Sequence, residues 1–242
     1  MSSGLSALLF GATGATGKHL LRELLSSDKY NKVGEYGRRV TDKANLPNAA
    51  KLEQKSVNFD AIEQERVKEG EWDVVLITMG TTRAAAGSAE AFEKIDREYV
   101  INAAKAAKSD DPTRKQRLIY LSSVGANPKG YFLYGKSKGL TEQALANLGY
   151  DDVIIFRPAF LAQAERPEHR LAEHVAGYVT HQLARFSKSV EIPVSTLGKA
   201  LSIAGALGSE GIPDKLKTKT SWEGSSFTLL TNPQILDLAK TQ

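Results

Sequence analysis

A glycine-rich turn near the start of the chain is the feature that most constrains its fold. An apolar run ends at Phe10, and glycines follow at every third position, at Gly11, Gly14 and Gly17. Apolar residues at helical spacing begin after Lys18. The pattern predicts a buried strand, a tight turn and a helix whose N-terminus faces the turn. Such an N-terminus suits a pyrophosphate, although an ordinary strand-to-helix connection can have the same spacing.

Strands and helices are predicted to alternate along residues 1–158. The predicted strands cover residues 5–10, 33–37, 52–59, 73–79, 118–121 and 153–156, and the predicted helices cover 18–27, 61–69, 90–108 and 134–148. This order indicates βαβ units and a doubly wound parallel sheet of the Rossmann type, in the α/β class. Such sheets bind ligands at the C-terminal ends of their strands. We therefore expect the residues after strands one, four, five and six to line one cleft.

The alternation breaks down after residue 158. We expect residues 159–242 to form a small substrate lobe and C-terminal elements that pack on the core of residues 1–158, within one structural domain. The elements expected there are a helix over 171–186, a short strand over 191–194, a helix over 196–207, a loop over 208–226, a strand over 227–230 and a helix over 233–239 that Asn232 caps. Within the core, the small residues 84–89 predict a loop.

Composition narrows the class of protein. The chain has 242 residues, 41% of them hydrophobic, and no cysteine, which excludes a disulfide framework and a thiolate metal site. Its apolar runs have strand length and the first strand starts about five residues in, so we expect no transmembrane segment and no targeting peptide. The net charge of +4 favours phosphate-bearing ligands or an anionic membrane surface. The basic residues form no stripe with interleaved aromatics, so we expect no nucleic-acid partner.

Two arginines at the end of the second predicted strand indicate which dinucleotide would bind. Arg38 and Arg39 lie about twenty residues after Gly17. An acidic residue in this region binds the ribose 2′-hydroxyl of NAD, whereas an arginine accommodates the 2′-phosphate of NADP. Glu35 is close in sequence but lies inside the strand. The pattern therefore favours NADP(H) as the cofactor over NAD.

A serine pair and a tyrosine–lysine pair predict acid–base chemistry. Ser122 and Ser123 end the fifth predicted strand, and Tyr134 and Lys138 follow four residues apart on one face of a predicted helix. A phenol ordinarily has a pKa of about 10, and a nearby ammonium stabilises its ionised form. Proton exchange with a carbonyl or alcohol oxygen then becomes feasible near neutral pH, and a serine hydroxyl can hydrogen-bond the same oxygen.

Four stretches together resemble the short-chain dehydrogenases/reductases of the extended or atypical kind. They are residues 11–17 (Gly-Ala-Thr-Gly-Ala-Thr-Gly), Leu121-Ser122-Ser123, the segment from Tyr134 to Lys138, and Arg157-Pro158. Residues 80–87, with Arg38-Arg39 and Phe132-Leu133-Tyr134, narrow the resemblance to the subgroup of fungal FMP52-type proteins and the mammalian Tat-interacting protein TIP30. The resemblance covers most of residues 5–207 and implies the Rossmann-type fold.

The resemblance also implies roles for individual residues. The catalytic set is Ser123 (with Ser122 as the alternative), Tyr134 as proton donor and acceptor, and Lys138, which holds the nicotinamide ribose and tunes the tyrosine. The cofactor-binding set is Gly11, Thr13, Gly14, Ala15, Thr16, Gly17, Arg38, Arg39, Asp60, Met79, Gly80, Thr81, Tyr134, Lys138, Pro158 and Leu161. Residues 13–16 are expected at the pyrophosphate, the arginines at the 2′-phosphate, and Leu161 beside the nicotinamide.

These residues predict an NADP(H)-dependent oxidoreductase that reduces a small-molecule carbonyl or oxidises an alcohol. The alternative is a non-catalytic NADP(H)-binding regulator or scaffold, a role that the resemblance implies for the mammalian member. Both a monomer and a homodimer remain open. We expect a cytoplasmic protein, and the fungal resemblance implies peripheral association with the mitochondrial outer membrane.

Residues 163–181 contain three histidines, His169, His174 and His181, which are candidates for metal ligands. On a helix, His174 and His181 would lie about 10 Å apart along the axis, and His169 would point away from His174. Zinc ligands must each lie about 2 Å from one ion. We therefore expect no metal at these residues, and we expect Arg170 to be a candidate contact for phosphate or substrate.

Overall fold

The computed structural model describes residues 4–162, 191–222 and 224–241. Ten strands lie in these residues: β1 Leu5–Phe10, β2 Tyr30–Gly37, β3 Leu52–Ser56, β4 Val74–Ile77, β5 Arg117–Leu121, β6 Asp152–Arg157, β7 Phe160–Ala162, β8 Glu191–Pro193, β9 Thr218–Trp222 and β10 Ser225–Thr231. Eight of them form one sheet in the order β3-β2-β1-β4-β5-β6-β10-β9, and β7 pairs with β8. Neighbours in the large sheet are parallel except β10 and β9, which are antiparallel.

Helices cover both faces of the large sheet. They are α1 Gly17–Ser26, α2 Arg83–Ala86, α3 Ala89–Glu93, α4 Tyr99–Ala107, α5 Leu133–Ala146, α6 Val194–Gly211 and α7 Asn232–Leu238. Buried residues of α1, α6 and α7 form one hydrophobic core with the sheet, and buried residues of α4 and α5 form a second core on the opposite face. The prediction of a doubly wound Rossmann-type sheet is confirmed.

The central strands are apolar because both of their faces are buried. In β1, Leu9 belongs to the core under α1, and its neighbours Leu8 and Phe10 belong to the core under α4. Such double burial gives continuous apolar runs rather than alternation. The strand order reverses between β1 and β4, so the glycine turn after β1 lies at the switch point where ligands of such sheets bind.

Two of the element predictions between β3 and α4 are wrong. Residues 61–69 are not an α-helix but two 3₁₀ turns, Phe59–Glu65 and Val67–Gly70, separated by Arg66 with a φ of 51°. A left-handed residue ends any regular helix at that point. Residues 84–89 are not all loop, because the Thr82 side chain accepts a hydrogen bond from the Ala85 N–H and caps the short helix α2.

The predicted loop over 208–226 is also wrong. Helix α6 is kinked at Gly208, which has a φ of 70°, and a further helical segment runs to Gly211; a 3₁₀ turn covers Asp214–Leu216, and β9 covers Thr218–Trp222. Strand β9 is polar on both sides because it is the edge of the sheet and pairs with β10 alone, so its sequence has no apolar alternation to reveal it.

The start of the last helix differs from the prediction by one residue. Asn232 is the first residue of α7 rather than its cap. Thr231 is the N-cap, and it forms a capping box with Gln234. The predicted helix over 171–186 lies outside the described residues.

Candidate functional site

The glycine turn packs too tightly for side chains at two of its positions. Gly11 has a φ of 91°, and a Cβ there would lie 2.7 Å from the Met79 backbone nitrogen. A Cβ on Gly17 would lie 2.0 Å from the Gly11 carbonyl oxygen. Gly14 has more room, with a closest approach of 3.2 Å. The turn therefore brings the start of α1 against the end of β1, with Thr13 and Gly14 exposed.

The turn fits the pyrophosphate that the sequence predicts for it. Residues 11–14 line a cavity that also contains Arg38, Arg39, Met79 and Gly80. Helix α1 begins at this cavity and presents the positive end of its dipole. The hydroxyl of Thr16 is buried and has no hydrogen-bond partner among the described residues. A buried donor of this kind is costly unless a bound group satisfies it.

The arginine loop, residues 38–41, follows β2 on the other wall of this cavity. The side chains of Arg38 and Arg39 are exposed. Glu35 is 1% exposed, and its carboxylate accepts hydrogen bonds from Thr41 and Gln54. The two guanidinium groups are therefore the accessible charges at the end of β2, as the sequence predicts.

Asp60 lies at a neighbouring cavity that shares Arg38 with the first. Its carboxylate forms an ion pair of 2.7 Å with Lys94 and accepts a hydrogen bond of 2.9 Å from the Tyr99 hydroxyl. The hydrogen bond from Lys94 holds the pKa of Asp60 below its usual range. The rings of Phe59 and Tyr99, which both line this cavity, are stacked with their centroids 5.5 Å apart.

Tyr134 and Lys138 lie in the first two turns of α5 and are not among the residues that line the two cavities. The Tyr134 side chain is 45% exposed, whereas Lys138 is 3% exposed. The Lys138 ammonium lies 6.0 Å from the centre of the Tyr134 ring. The two side chains share one face of the helix, as the four-residue spacing predicts, but the lysine lies beneath the tyrosine in the core.

The partners of the Lys138 ammonium are Asp96 and Tyr120, neither of which the sequence analysis singled out. The ammonium is 3.2 Å from an oxygen of the fully buried Asp96, and it donates a hydrogen bond of 2.9 Å to the Tyr120 hydroxyl. Burial by itself would lower the pKa of Lys138, but Tyr120 and Asp96 outweigh it and the pKa is raised. The lysine is therefore held as a cation.

A π-helical turn brings Asp96 to this position. Residues Lys94–Glu98 form five residues of π-helix between α3 and α4. Such turns are rare and occur frequently at functional sites. The signal in the sequence is a charged residue on the buried face of a helix, because Asp96 follows Phe92 and precedes Val100 at four-residue spacing.

Asp96 also joins the lysine to the β4 loop, residues 78–82. Its second oxygen accepts a hydrogen bond of 3.1 Å from the Thr81 N–H. A Cβ on Gly80 would lie 3.2 Å from that same oxygen and 3.6 Å from the Lys138 ammonium. The β4 loop, which forms part of the cavity at the glycine turn, therefore lies close to the lysine and is joined to it through Asp96.

Both candidate serines directly follow β5, the strand that contains Tyr120. The hydroxyls of Ser122 and Ser123 are buried and have no hydrogen-bond partner among the described residues. The Val124 N–H donates a 2.9 Å hydrogen bond to the Pro158 carbonyl, which ties the serine loop to the end of β6. Leu161, in β7, packs against the core under α1.

An ion pair fixes α5 against the end of β6. Arg157 binds both carboxylate oxygens of Glu142, which is 2% exposed. Such bidentate pairs have a defined geometry. Arg157 therefore contributes to the placement of the helix that carries Tyr134 and Lys138.

Several further predictions concern residues that the structure does not describe. His169, Arg170, His174 and His181 lie outside the described residues. Within the described ranges, no group of three or more His, Cys, Asp or Glu side chains could hold a metal ion. Over the same ranges, none of the helices is both long enough and apolar enough to span a bilayer.

Comparison with known families identifies the nucleotide-binding character of the chain. Residues 11–186 match a family described as NAD(P)H-binding. The mitochondrial protein FMP52 of Candida albicans is 35% identical over 172 residues, which cover 71% of this chain and 74% of that protein. The HTATIP2 protein of Rattus norvegicus is 31% identical over 239 residues, covering 97% of this chain and 89% of the relative.

Solved structures share the fold at low sequence identity. A short-chain dehydrogenase/reductase of Saccharomyces cerevisiae, YIR035C, matches with a TM-score of 0.67 and 15% identity, covering 97% of this chain and 99% of that one. The Bordetella bronchiseptica enzyme WbmF, solved in complex with NAD+, matches with a TM-score of 0.62 and 14% identity, covering 98% of this chain and 77% of that one.

Proposed function

Because the chain belongs to the NAD(P)H-binding family and is related to the FMP52 and HTATIP2 proteins, we propose that it is an NADP(H)-dependent oxidoreductase that reduces a carbonyl or oxidises the corresponding alcohol. The position of the Lys138 ammonium carries this proposal. The ammonium is buried beside the β4 loop and beneath the exposed Tyr134. A buried cation is expensive to maintain, and such groups cluster at functional sites.

The residues that would hold the pyrophosphate and the adenosine end of the cofactor follow β1 and β2. The glycine turn and Thr16 would hold the pyrophosphate, and Arg38 and Arg39 would bind the 2′-phosphate. The capture of Glu35 by its neighbours supports NADP(H) over NAD, because the oxygens of this cavity-lining carboxylate are occupied by Thr41 and Gln54 and are not open to the ribose hydroxyl. When bound, the nicotinamide supplies or accepts the hydride.

Tyr134 would move the proton of the reaction. Its exposed hydroxyl can give a proton to a carbonyl oxygen, or take one from an alcohol, without leaving the surface of the cleft. The hydroxyl of Ser123, or of Ser122, is available to hydrogen-bond the same oxygen, since neither has a partner among the described residues. Lys138 supplies a fixed positive charge beneath the tyrosine ring.

A second candidate function is a non-catalytic NADP(H)-binding regulator. The observation in its favour is that Asp96 and Tyr120 both bind the Lys138 ammonium. The carboxylate offsets the positive charge that would otherwise act on Tyr134 in full. A site of this kind could retain the lysine for cofactor contact alone.

Replacement of Tyr134 distinguishes the two functions. In Tyr134→Phe, we expect turnover to fall by a factor of about 10² to 10⁴, because the variant lacks the proton donor, while NADPH affinity stays nearly unchanged. The assay follows NADPH oxidation with a panel of aldehydes, ketones and quinones, and NADPH binding is followed separately by calorimetry.

Tyr131→Phe is the matched control, because this tyrosine is fully exposed three residues earlier and has no place in the proposed chemistry. Turnover that survives in Tyr134→Phe would reject Tyr134 as the acid. Tight NADPH binding by the wild-type chain without turnover across the panel would favour the regulator.

A further inference from the structure

The carboxylate of Glu35 is surrounded by donors in a way that a structural core residue does not require. One oxygen accepts hydrogen bonds from the Thr41 N–H at 2.8 Å and from the Thr41 hydroxyl at 2.7 Å. The other oxygen accepts a hydrogen bond of 2.6 Å from the Gln54 side-chain amide. That amide also donates to the Thr41 carbonyl at 2.6 Å. Three donors on one buried carboxylate leave it little capacity for a ligand.

These bonds close the arginine loop at its C-terminal end. Glu35 and Thr41 belong to opposite ends of the chain segment that carries Arg38 and Arg39, and Gln54 joins both of them to β3. Towards the N-terminal end of the loop, the Ser56 hydroxyl donates to the Arg38 carbonyl at 3.2 Å. The backbone is thus fixed on both sides, while the two guanidinium groups stay exposed.

A free carboxylate at this wall would act in two ways. It would repel a phosphate group bound to Arg38 and Arg39, and it would offer an acceptor for a ribose hydroxyl. Glu35 lines the same cavity as the two arginines, so both effects would act on a bound dinucleotide. Hydrogen bonds from Thr41 and Gln54 occupy the oxygens of Glu35, so the carboxylate is not open to a ribose hydroxyl. The same donors disperse its negative charge and weaken its repulsion of a phosphate without removing it.

We propose that Glu35, Thr41 and Gln54 form a clamp that sets the preference of this site for a 2′-phosphorylated adenosine over an unphosphorylated one. The three side chains act through the arginine loop and are positioning residues. The inference rests on the proposed NADP(H) function. According to this inference, the preference depends on Arg38 and Arg39 and also on Thr41 and Gln54, which fix the arginine loop and hydrogen-bond the Glu35 carboxylate.

The test compares two nucleotides that differ only in the 2′-phosphate, 2′,5′-ADP and 5′-AMP. Their dissociation constants are measured by calorimetry with the full chain and with the variants Thr41→Val, Gln54→Leu and their combination. Thr41→Val keeps the size and the N–H and removes one donor. Val40→Ala is the control, because Val40 lies in the same loop with an exposed side chain.

We expect the wild-type chain to bind 2′,5′-ADP at least about tenfold more tightly than 5′-AMP. In the combined variant, we expect this ratio to fall about fivefold or more, through weaker binding of 2′,5′-ADP with 5′-AMP unchanged or tighter. Adding Glu35→Gln to the combined variant removes the released negative charge and should recover part of the ratio. Val40→Ala should keep the wild-type ratio.

The outcomes separate the clamp from the proposed function. Equal binding of the two nucleotides by the wild-type chain would overturn the NADP(H) preference and the clamp together. A wild-type preference that persists unchanged in Thr41→Val and in the combined variant would overturn the clamp alone. If the variants bind both nucleotides more weakly by the same factor, the three residues only stabilise the fold, and the clamp would also be overturned. If the combined variant does not fold, Thr41→Val decides.

Discussion

Glu35 and Asp96 are both buried carboxylates, and the groups that they bind are different. Glu35, in β2, accepts hydrogen bonds from an N–H, a hydroxyl and an amide, all of them neutral. Asp96, in the π-helical turn, holds the Lys138 ammonium and the Thr81 N–H. The end with Arg38 and Arg39 therefore presents exposed cations, and the buried carboxylate behind them keeps its charge while neutral donors hydrogen-bond it. The other buries the cation with its counter-ion.

The two ends are therefore expected to respond differently to a ligand. At the arginine end the charges are free to meet an anion, and the fold has only to place them. At the lysine end the charge is already compensated, so its main role is a fixed position beneath Tyr134. Removing a carboxylate should therefore cost more at the lysine end than at the arginine end.

The largest effect on stability is expected for Asp96→Ala. The substitution leaves the Lys138 ammonium buried without its counter-ion, which typically costs about 3–5 kcal/mol of unfolding free energy. Urea unfolding of the two proteins measures the difference. A loss below about 1 kcal/mol would show that the ion pair is not buried in solution. The contrast between Asp96 and Glu35 would then be wrong.

The pH dependence of the same pair follows from the raised pKa of Lys138. A lysine whose folded pKa lies above its unfolded value, about 10.4, stabilises the fold fully below that value and loses this contribution as the pH rises further. The reference is Asp96→Asn/Lys138→Met, which carries neither charge. We expect the stability difference from wild type to be constant between about pH 6 and pH 9 and to change only above about pH 10.

Unfolding curves at a series of pH values give this difference directly. A wild-type stability that already rises relative to the reference between about pH 7 and pH 9 would mean that burial dominates and that the pKa of Lys138 is lowered instead. The lysine would then not be a permanent cation beneath Tyr134.

A smaller effect is expected for Glu35→Gln. The substitution keeps one acceptor and removes the charge, so it should cost about 1–2 kcal/mol of unfolding free energy, less than Asp96→Ala. Asp237→Asn is a control at an exposed ion pair with Lys240, where a change below about 0.5 kcal/mol is expected. Equal losses for Glu35→Gln and Asp96→Ala would remove the distinction between the two ends.

The parts of the fold and site that rest on local pattern could be read from the sequence. The apolar runs of β1 and β4 and the glycine spacing predict the switch point, and the four-residue spacing places Tyr134 and Lys138 on one face of α5. The polar edge strand β9 could not be predicted, because its only signal is its pairing with β10.

Gln54 and Asp96, which bind Glu35 and Lys138, could not be predicted as their partners from the sequence either, because they lie in distant segments of the chain. Asp96 precedes Lys138 by 42 residues, and helical periodicity in the sequence does not predict that its carboxylate pairs with this lysine. Gln54 reaches Glu35 across the pairing of β2 with β3. Such contacts depend on register and on the π-helical turn, which composition and periodicity do not specify.

The most direct test of the account is a crystal structure of the chain grown with NADPH. We expect density for the 2′-phosphate against Arg38 and Arg39, the pyrophosphate at the glycine turn, and the nicotinamide beside Tyr134, with Glu35 still bonded to Thr41. A cofactor whose adenosine lies away from the arginines, or a nicotinamide remote from Tyr134, would contradict it.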